Sequence, residues 1–508
     1  MERIGLIDIG SNTIRLVIFE FDTKSGLNEI LNIKTPARLS QYLTEDLMMN
    51  EEGIEVLTKA LRSFKKVANK FNVNALHPIA TAAIRQSTNS KKIIEHIKKE
   101  LKIDITIVPE KDEAFYGFYA ITHTTDVEDG VSVDIGGGST EVTLFRDKNL
   151  IEAHSFPFGV VTLTKKFFEG KDHNDKSAIK AMEKFLSKQF DQLPWLKKHN
   201  ISLVGIGGSA RNVARIHQSE HSYPIGGVHN YTMSEDDIDE VYSIIRKSSR
   251  DDLKDIDGLS RDRVDIILPA VAVFKALFDK ISATQFTFSR KGLREGYVMK
   301  LLSEHYPKEF QKQNIRKDAL YHLANEYGIE EENAEQRVKL AQSLLNQLID
   351  LKKIEVSKQE RQLFIDGAFL YYLGSFIDSD SSSPHTYYLI ANSMIDGFRH
   401  EERVKLALLA SFKNKSLLKF YSHETKWLHG KELENVQYLG GIIKFVNAMN
   451  ISHTNSVKEV KLEKEDKHFT LYVESSGEPI AEEYQAQRQK KHIEKILKAD
   501  LSIIFTKS

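Results

Sequence analysis

An acidic residue stands just before glycines at the end of an apolar run in two stretches, Asp8-Ile-Gly-Ser11 and Asp134-Ile-Gly-Gly-Gly-Ser139. Apolar and β-branched residues flank each stretch, which predicts a strand, a tight turn and a returning strand. Glycines let the backbone approach a ligand closely, and successive N–H groups in such a turn can bind an anion. A carboxylate at the strand end can hold a metal ion beside phosphate oxygens. The two stretches are therefore candidate phosphate-binding loops.

One glycine-rich loop would be equally typical of an ordinary hairpin. Two Asp-x-Gly loops far apart in the chain are more specific, because they indicate two similar halves that face one cleft. A third stretch, Gly205–Asn212, repeats the glycine turn and also fits the dinucleotide fingerprint Gly-x-Gly-x-x-Ala. That fingerprint is weak alone. We expect this third copy of the turn to make a further phosphate or nucleotide contact.

Two neighbouring acids, Asp112 and Glu113, follow a predicted strand and open a predicted helix. Acids in the first turn of a helix are ordinarily capping residues that suit the helix dipole. Here they follow a strand end on the edge where the phosphate loops are expected, if the sheet is parallel at that point. A carboxylate there could deprotonate a water that attacks phosphorus. Arg85 follows another strand end, where it could fork onto phosphate oxygens or pair with a neighbouring acid.

The composition sets limits on the function. The 508 residues include 71 Lys and Arg and 72 Asp and Glu, so no global field draws the chain to nucleic acid or membrane. The absence of cysteine excludes disulfides, thiolate metal sites and cysteine nucleophiles. The N-terminus enters a predicted strand at once and no apolar run could span a bilayer. These features predict a cytoplasmic protein.

Alternating strand and helix patterns predict an α/β fold over about the first 300 residues, and helical patterns follow. Near the C-terminus, alternating residues from Val457 to Leu462 and from His468 to Val473 predict a hairpin, and a basic helix runs from Pro479 to Lys498. We predict four domains: two α/β domains at 1–124 and 125–302, a helical domain at 303–445 and a small α/β domain at 446–508.

In this order, six stretches resemble the signatures of the exopolyphosphatase and guanosine pentaphosphate phosphatase family. That family belongs to the superfamily of actin, the seventy-kilodalton heat-shock chaperones and the sugar kinases. The matching stretches are Asp8–Leu16, Ala80–Arg85, Asp112–Ala114, Asp134–Glu141, Gly205–Ser209 and Gly292–Gly296. The resemblance implies two ribonuclease-H-like (actin-like) domains that clasp a phosphate chain, Mg²⁺ or Mn²⁺ as cofactor, and a homodimer.

The resemblance also implies roles for single residues. Glu113 matches the family's catalytic base, and Asp112 replaces a family glutamate with a side chain one methylene shorter. Asp134 and Glu141 match acids linked to Mg²⁺ and catalysis, and we predict Asp8 and Asp134 as metal ligands. The predicted phosphate contacts are Ser11, Asn12, Thr13, Arg15, Arg85, Gly136, Gly137, Gly138, Ser139, Gly207, Gly208 and Ser209.

The helical region resembles the domain, in longer family members, that is similar to metal-dependent His-Asp phosphohydrolases. Tyr371-Tyr372 stands where those enzymes place a His-Asp metal pair, so we expect no second metal active site. The region is rich in cations, which ordinarily form a solvated face but could line a track for a polyphosphate chain. These cations are Arg399, His400, Arg403, Lys413, Lys415, Lys419 and Lys426, with a second group from Arg488 to Lys498.

Three function classes fit these residues. The first is an exopolyphosphatase that acts by Mg²⁺-assisted, in-line attack of water, since the chain has no cysteine nucleophile and no Gly-x-x-x-x-Gly-Lys-Ser/Thr loop. The second is a phosphohydrolase that converts guanosine pentaphosphate to guanosine tetraphosphate. The third is a nucleotide-binding sensor without catalysis. The acids at positions 8, 113, 134 and 141 favour an enzyme over a sensor.

Overall fold

The computed structural model describes residues 1–466 and 468–507. Among these residues, no helix combines the length and the apolar character that a membrane span requires. The chain divides into two compact units. The first unit consists of Met1–Ser222 and Val228–Asp318, and the second of Tyr223–Gly227 and the residues from Ala319 onward.

The first unit begins with a five-stranded sheet in the order β3-β2-β1-β4-β5. Strands β1, β2 and β3 form an antiparallel meander, and β4 and β5 add to β1 in parallel. The elements are β1 (Glu2–Ile9), β2 (Thr13–Asp22), β3 (Gly26–Pro36), α1 (Glu51–Lys70), β4 (Ala75–Ala80), α2 (Ala82–Arg85), α3 (Ser90–Leu101), β5 (Thr106–Ile107) and α4 (Glu110–Thr122).

A six-stranded sheet in the order β10-β11-β9-β6-β7-β8 follows. It repeats the first arrangement, because β6, β7 and β8 are antiparallel and β9 joins β6 in parallel. The elements are β6 (Gly130–Ile135), β7 (Thr140–Arg146), β8 (Asn149–Phe156), α5 (Val160–Phe168), α6 (Lys176–Asp191), β9 (Ser202–Ile206), α7 (Gly207–Glu220), β10 (Tyr231–Met233), α8 (Glu235–Lys247), α9 (Ile267–Ile281), β11 (Phe286–Phe288) and α10 (Leu293–His305). The prediction of two similar, actin-like α/β halves is confirmed.

Two helices cross between the halves of the first unit. Helix α4, which follows the first sheet, buries Phe118 and Ile121 in a cluster with residues of the second sheet. Helix α10, which follows the second sheet, buries Val298 and Leu302 against the first. The two helices meet at Gly296, where an added Cβ would lie 1.9 Å from the carbonyl oxygen of Tyr116. Glycine is therefore required at the crossing.

Gly296→Ala is expected to destabilise the protein by about 1–3 kcal/mol, the usual range for overpacking. The sign of the change in the free energy of unfolding is informative, because alanine in place of glycine inside a helix ordinarily stabilises a protein by up to about 1 kcal/mol. Denaturant unfolding of the full-length protein measures the difference. Lys300→Ala, at a more exposed position of α10, is the control and should change stability little. A Gly296→Ala variant as stable as the wild type would contradict the close crossing.

The second unit is mostly helical and ends in a three-stranded sheet in the order β12-β13-β14. Strands β12 and β13 form the predicted hairpin, and β14 pairs with β13 in parallel. Helix α11 (Ile315–Glu326) leads into it. The other elements are α12 (Glu331–Asp350), α13 (Lys358–Phe369), α14 (Ser382–Asn392), α15 (His400–Ala410), α16 (Lys415–Thr425), α17 (Gly430–Ala448), β12 (Val457–Glu465), β13 (His468–Ser475), α18 (Ile480–Gln489), α19 (Lys491–Leu497) and β14 (Leu501–Lys507).

The tyrosine pair of the second unit belongs to its core. The Tyr371 hydroxyl donates to the carbonyl oxygen of Phe412 at 3.0 Å, and its ring stacks on Tyr372 with a centroid distance of 4.2 Å. Burial raises the pKa of Tyr371. The phenol is therefore neutral and serves packing.

Two of the cations predicted to line a track are wrong for that role, because they are buried. Arg403 donates to the carbonyl oxygens of Ser393 at 2.8 Å and Gly226 at 3.1 Å. His400 shares a hydrogen bond of 2.9 Å with the Tyr223 hydroxyl. A buried guanidinium must find such acceptors, since its charge is costly to desolvate. The lysines at 413, 415, 419 and 426 are exposed.

Candidate active site

The two Asp-x-Gly stretches form the same turn. The Gly10 N–H donates to the Thr13 carbonyl oxygen at 3.1 Å, and the Gly136 N–H donates to that of Ser139 at 2.9 Å. Each turn joins two antiparallel strands, as the alternation of apolar residues predicts. The repeat in the sequence is therefore a repeat in the structure.

Strand register sets what stands opposite each acid. Asp8 pairs with Arg15 across the first hairpin, and Asp134 pairs with Glu141 across the second. A guanidinium group therefore lies across from the acid of the first hairpin, whereas a second carboxyl group lies across from the acid of the second hairpin. The two halves are alike in backbone and differ in charge.

The two loops face each other. A Cβ on Gly137 would lie 3.9 Å from the Cβ of Ser11. The carbonyl oxygens of Gly136 and Gly137 accept hydrogen bonds of 3.0 Å from the first N–H groups of α5. Within the described residues, no hydrogen bond occupies the N–H groups of Gly137 and Gly138. These donors are available to an anion.

A cleft of about 370 Å³ lies between the loops. Its lining includes Glu113 and the predicted metal ligands Asp8 and Asp134. It also includes ten of the predicted phosphate contacts: Ser11, Asn12, Thr13, Arg15, Gly136, Gly137, Gly138, Ser139, Gly207 and Gly208. The remaining predicted site residues, Asp112, Glu141, Arg85 and Ser209, do not line the cleft.

The third glycine stretch reaches the cleft, but it is not another copy of the turn. Strand β9 runs directly into α7 at Gly207, whose φ of +82° favours glycine. A Cβ there would lie 2.6 Å from Oδ1 of Asp134. The prediction of a repeated hairpin turn was wrong, since the chain continues as a helix whose N-terminal N–H groups suit an anion. Ser209 instead accepts a hydrogen bond of 3.0 Å from Arg263.

Glu113 lies in the first turn of α4 and borders the cleft, whereas Asp112 is exposed to solvent. Arg85 Nη1 donates to Oε2 of Glu113 at 2.9 Å and to the Val108 carbonyl oxygen at 2.8 Å. Burial raises the pKa of Glu113 to about 7, with Arg85 opposing the shift. A carboxyl group with a pKa near neutrality suits a general base.

Arg85 lies behind Glu113, with its side chain 13% exposed. Its Nε and Nη2 atoms are buried and make no hydrogen bond within the described chain, although Nη2 lies 3.6 Å from Oε1 of Glu110. Buried guanidinium N–H groups rarely remain without acceptors. Because Arg85 lies outside the lining of the cleft, its contact with phosphate stays a prediction.

Glu141 is buried behind Asp134 and accepts a hydrogen bond of 2.9 Å from Ser155. Burial, together with the charges of Glu113 and Asp134, raises the pKa of Glu141 to about 8. The carboxyl groups of this part of the site therefore raise one another's pKa, because neighbouring negative charges repel. A bound cation would relieve this repulsion.

The donor set at this end fits Mg²⁺. Burial raises the pKa of Asp8, and that of Asp134 to about 6, with Arg294 the main opposing charge for both. Their oxygens are the ligands that hard cations prefer. Among the described residues these acids do not form a group of three with all ligand atoms within 4.8 Å. Mg²⁺ does not need such a group, because it is usually held by one or two carboxylates together with water and phosphate oxygens.

The sequence prediction missed most of the cations of the cleft. The additional basic residues of the lining are Lys34, Arg211, Arg215, Arg263, Arg290 and Arg294. Burial, together with the charges of neighbouring arginines, lowers the pKa of Arg211 to about 10. Crowded guanidinium groups indicate a site for a polyanion. The spacing of Gly207, Arg211 and Arg215 at four-residue intervals could have found two of them, because these positions share a helix face.

Comparison with protein families gives two matches. The model of the Ppx/GppA phosphatase family matches residues 17–305. The model described as Ppx/GppA phosphatase, domain III, matches residues 315–484. Together they cover parts of both compact units.

Single relatives give the same picture. The bifunctional 3-dehydroquinate synthase/phosphatase of Fusobacterium nucleatum is 29% identical over 286 residues, which are 54% of this chain and 42% of that protein. The chain thus spans less than half the length of this curated relative. The crystal structure of the Aquifex aeolicus Ppx/GppA family member is 27% identical, with a TM-score of 0.53, over 60% of this chain and 98% of that one. An exopolyphosphatase from Cytophaga hutchinsonii, 24% identical with a TM-score of 0.54, covers 60% and 98% and shares the fold.

Proposed function

We propose, from the premise that this chain belongs to the Ppx/GppA phosphatase family, that it is an exopolyphosphatase. It removes terminal orthophosphate from inorganic polyphosphate. The observation that carries this choice is the lining of the cleft, which has seven basic side chains and no aromatic one among the described residues. Guanidinium and ammonium groups pair with phosphate along a chain. A guanine base would ordinarily stack on an aromatic ring.

The family also supports the alternative, a phosphohydrolase for guanosine pentaphosphate. A cleft of about 370 Å³ falls within the usual range for small-molecule sites, so its size does not exclude a nucleotide. The choice between the two substrates therefore depends on the chemistry of the walls.

The residues of the cleft divide the reaction between them. The N–H groups of the glycine loops and the arginines hold the terminal phosphate, so its charge is neutralised before attack. Glu113 takes a proton from the attacking water as the water oxygen bonds to phosphorus, and the bridging P–O bond breaks. Arg85 holds the Glu113 carboxylate in place. Mg²⁺, when bound by Asp8 and Asp134, supplies further neutralisation of phosphate charge.

Orthophosphate release from medium-length polyphosphate and from guanosine pentaphosphate, measured in parallel with Mg²⁺, tests the proposed function. The proposal expects kcat/KM to be larger for polyphosphate. A larger kcat/KM for guanosine pentaphosphate would contradict the proposal and favour the guanosine pentaphosphate phosphohydrolase. If neither substrate released orthophosphate, the non-catalytic nucleotide-binding sensor would be favoured.

Asp134→Asn is expected to raise the Mg²⁺ concentration that gives half the maximal rate, because a neutral amide attracts the cation less than a carboxylate does. A Mg²⁺ titration of the rate measures this change. Asp262→Asn is the matched control, since Asp262 also lines the cleft but is paired with Lys34 at 3.0 Å. Full wild-type activity in excess chelator would contradict the metal requirement.

A further inference from the structure

A second group of polar side chains lies outside the cleft, at the C-terminal end of α7. His217 lies in the last turn of that helix, and His221 follows four residues later as its C-cap. Glu240 comes from α8, and its Oε2 lies 2.9 Å from Nε2 of His221 and 3.9 Å from Nε2 of His217. Asp237, also on α8, places Oδ1 at 3.3 Å from Nε2 of His217. None of these residues lines the cleft described above.

The distances match those between the ligands of one small cation. Metal–ligand bonds of about 2.0–2.2 Å in a tetrahedron separate neighbouring ligand atoms by about 3.3 Å. The separations of Glu240 Oε2 from Nε2 of His221 and of His217, 2.9 Å and 3.9 Å, lie on both sides of that value. The ligand atoms of His217, His221 and Glu240 all lie within 4.8 Å of one another, and no other group of three among the described residues does so.

His217 carries the strongest sign of a ligand. Its side chain is more than nine-tenths buried, yet its Nε2 makes no aligned hydrogen bond within the described chain. Its other ring nitrogen, Nδ1, lies 2.8 Å from the Tyr231 hydroxyl. A metal-binding histidine ordinarily donates its second ring N–H to such an oxygen, which fixes the tautomer that leaves Nε2 free.

Asp237 is also held in place. Its Oδ2 accepts a hydrogen bond of 2.7 Å from the backbone N–H of Ser234, and the Ser234 hydroxyl accepts from the Asp237 N–H at 3.3 Å. This capping box occupies one carboxylate oxygen. The other oxygen, Oδ1, is left to face His217.

We propose that His217, His221 and Glu240 form a binding site for Zn²⁺, with the Asp237 carboxylate facing His217 beside it. Imidazole nitrogens with carboxylate oxygens, without thiolates, are a donor set that Zn²⁺ accepts in tetrahedral geometry. Three protein ligands leave the fourth position of the tetrahedron to a water molecule. The cation joins the end of α7 to α8, and so fixes the helix that carries Gly207 and Arg211 into the cleft.

Calorimetric titration of the full-length, chelator-treated protein with Zn²⁺ tests this site, with excess Mg²⁺ present to occupy the carboxylates of the cleft. We expect one Zn²⁺ per chain and a higher Tm in the bound form, because a ligand of the folded state stabilises it. His221→Ala should weaken the affinity at least about tenfold, as the loss of one of three protein ligands implies. His96→Ala is the matched control, since His96 pairs with a single acid, Glu100, at 3.1 Å and should leave binding unchanged.

Co²⁺ in place of Zn²⁺ gives a readout that a plain ion-pair network would not produce. The proposal expects the intense visible absorption of tetrahedral Co²⁺ in the wild type and its loss in His221→Ala. Glu240→Gln, which keeps the shape of an exposed side chain, should weaken binding in the same way if a variant at His221 fails to fold. Equal Zn²⁺ binding by wild type and both variants, or no saturable binding by the wild type, would overturn the site.

Discussion

Glu113→Gln is expected to lower kcat by at least about 10²-fold, which is the usual cost of losing a general base. The glutamine has nearly the same shape and still accepts a hydrogen bond from Arg85, so the fold and substrate binding should persist. The physical reason is the proton, because an amide cannot take one from the attacking water. Orthophosphate release with saturating polyphosphate measures kcat, and a separate binding assay measures affinity.

Asp112→Asn is the matched control for Glu113→Gln. It changes a neighbouring acid of the same helix turn from carboxylate to amide, but Asp112 is exposed and does not line the cleft. We expect Asp112→Asn to retain most of the activity. A crippled Asp112→Asn together with a nearly silent Glu113→Gln would place the base one residue earlier.

The pH dependence should identify the same group. Burial raises the pKa of Glu113 to about 7, so the ionised, active form of the base is lost as the pH falls below that value. The kcat/KM of the wild type is therefore expected to rise with pH through about 7. The residual activity of Glu113→Gln should lack this rise. A rise of the same size in the variant would assign the titration to another carboxyl group of the site, such as Glu141.

The phosphate loops and the acids could be predicted from the sequence because their signals are local. Asp134, the glycines after it and the β-rich returning run all lie within one hairpin, so strand, turn and register follow from neighbouring residues. The position of Glu113 beside the cleft could be predicted because a strand end and a helix start are adjacent in the chain. The family motifs then assigned the roles.

The features of the site that were not predicted from the sequence depend on contacts between residues that are far apart in the chain. Arg263 ends a short 3₁₀ helix (Arg261–Arg263) and Arg290 lies in a loop, and no periodic pattern marks an arginine there as a ligand. The glycines at 207 and 208 have the composition of a turn, and only the helix that follows shows their role. Arg403 was assigned to a surface track because its charge is visible in the sequence, whereas its burial is not.

The structure brings together basic residues of the second unit that are far apart in the sequence. In the second unit, Lys444 of α17 has a pKa lowered by burial and then by the charges of Lys491, Lys413 and Arg488. Burial, together with the charges of Lys444, Lys491 and Lys495, lowers the pKa of His492 to about 4. Such crowding of like charges is unfavourable without a counter-ion. We call Lys413, Lys444, Arg488, Lys491 and Lys495 the basic surface of the second unit.

We propose that this basic surface binds the distal part of a long polyphosphate chain. A polyphosphate has about one negative charge per phosphate, so its binding needs cations spread along a path. A full-length variant with Lys413, Lys444, Lys491 and Lys495 replaced by glutamine should bind long polyphosphate at least about tenfold more weakly at low salt, as the loss of four modest, screened attractions implies. Its kcat/KM for tripolyphosphate should be unchanged, because a chain of three phosphates fits within the cleft.

The salt dependence separates this proposal from a general loss of stability. Removing four phosphate contacts should make the slope of log affinity against log salt concentration shallower by about 3, so the difference from the wild type shrinks at high salt. The control carries glutamine at Lys358, Lys431, Lys458 and Lys461, exposed lysines of the same unit outside the basic surface. That variant loses the same net charge and should bind long polyphosphate nearly as the wild type does. If both variants bound long chains equally well at low salt, the basic surface would have no part in binding. That result would favour the alternative function, hydrolysis of guanosine pentaphosphate, because that substrate needs only the cleft.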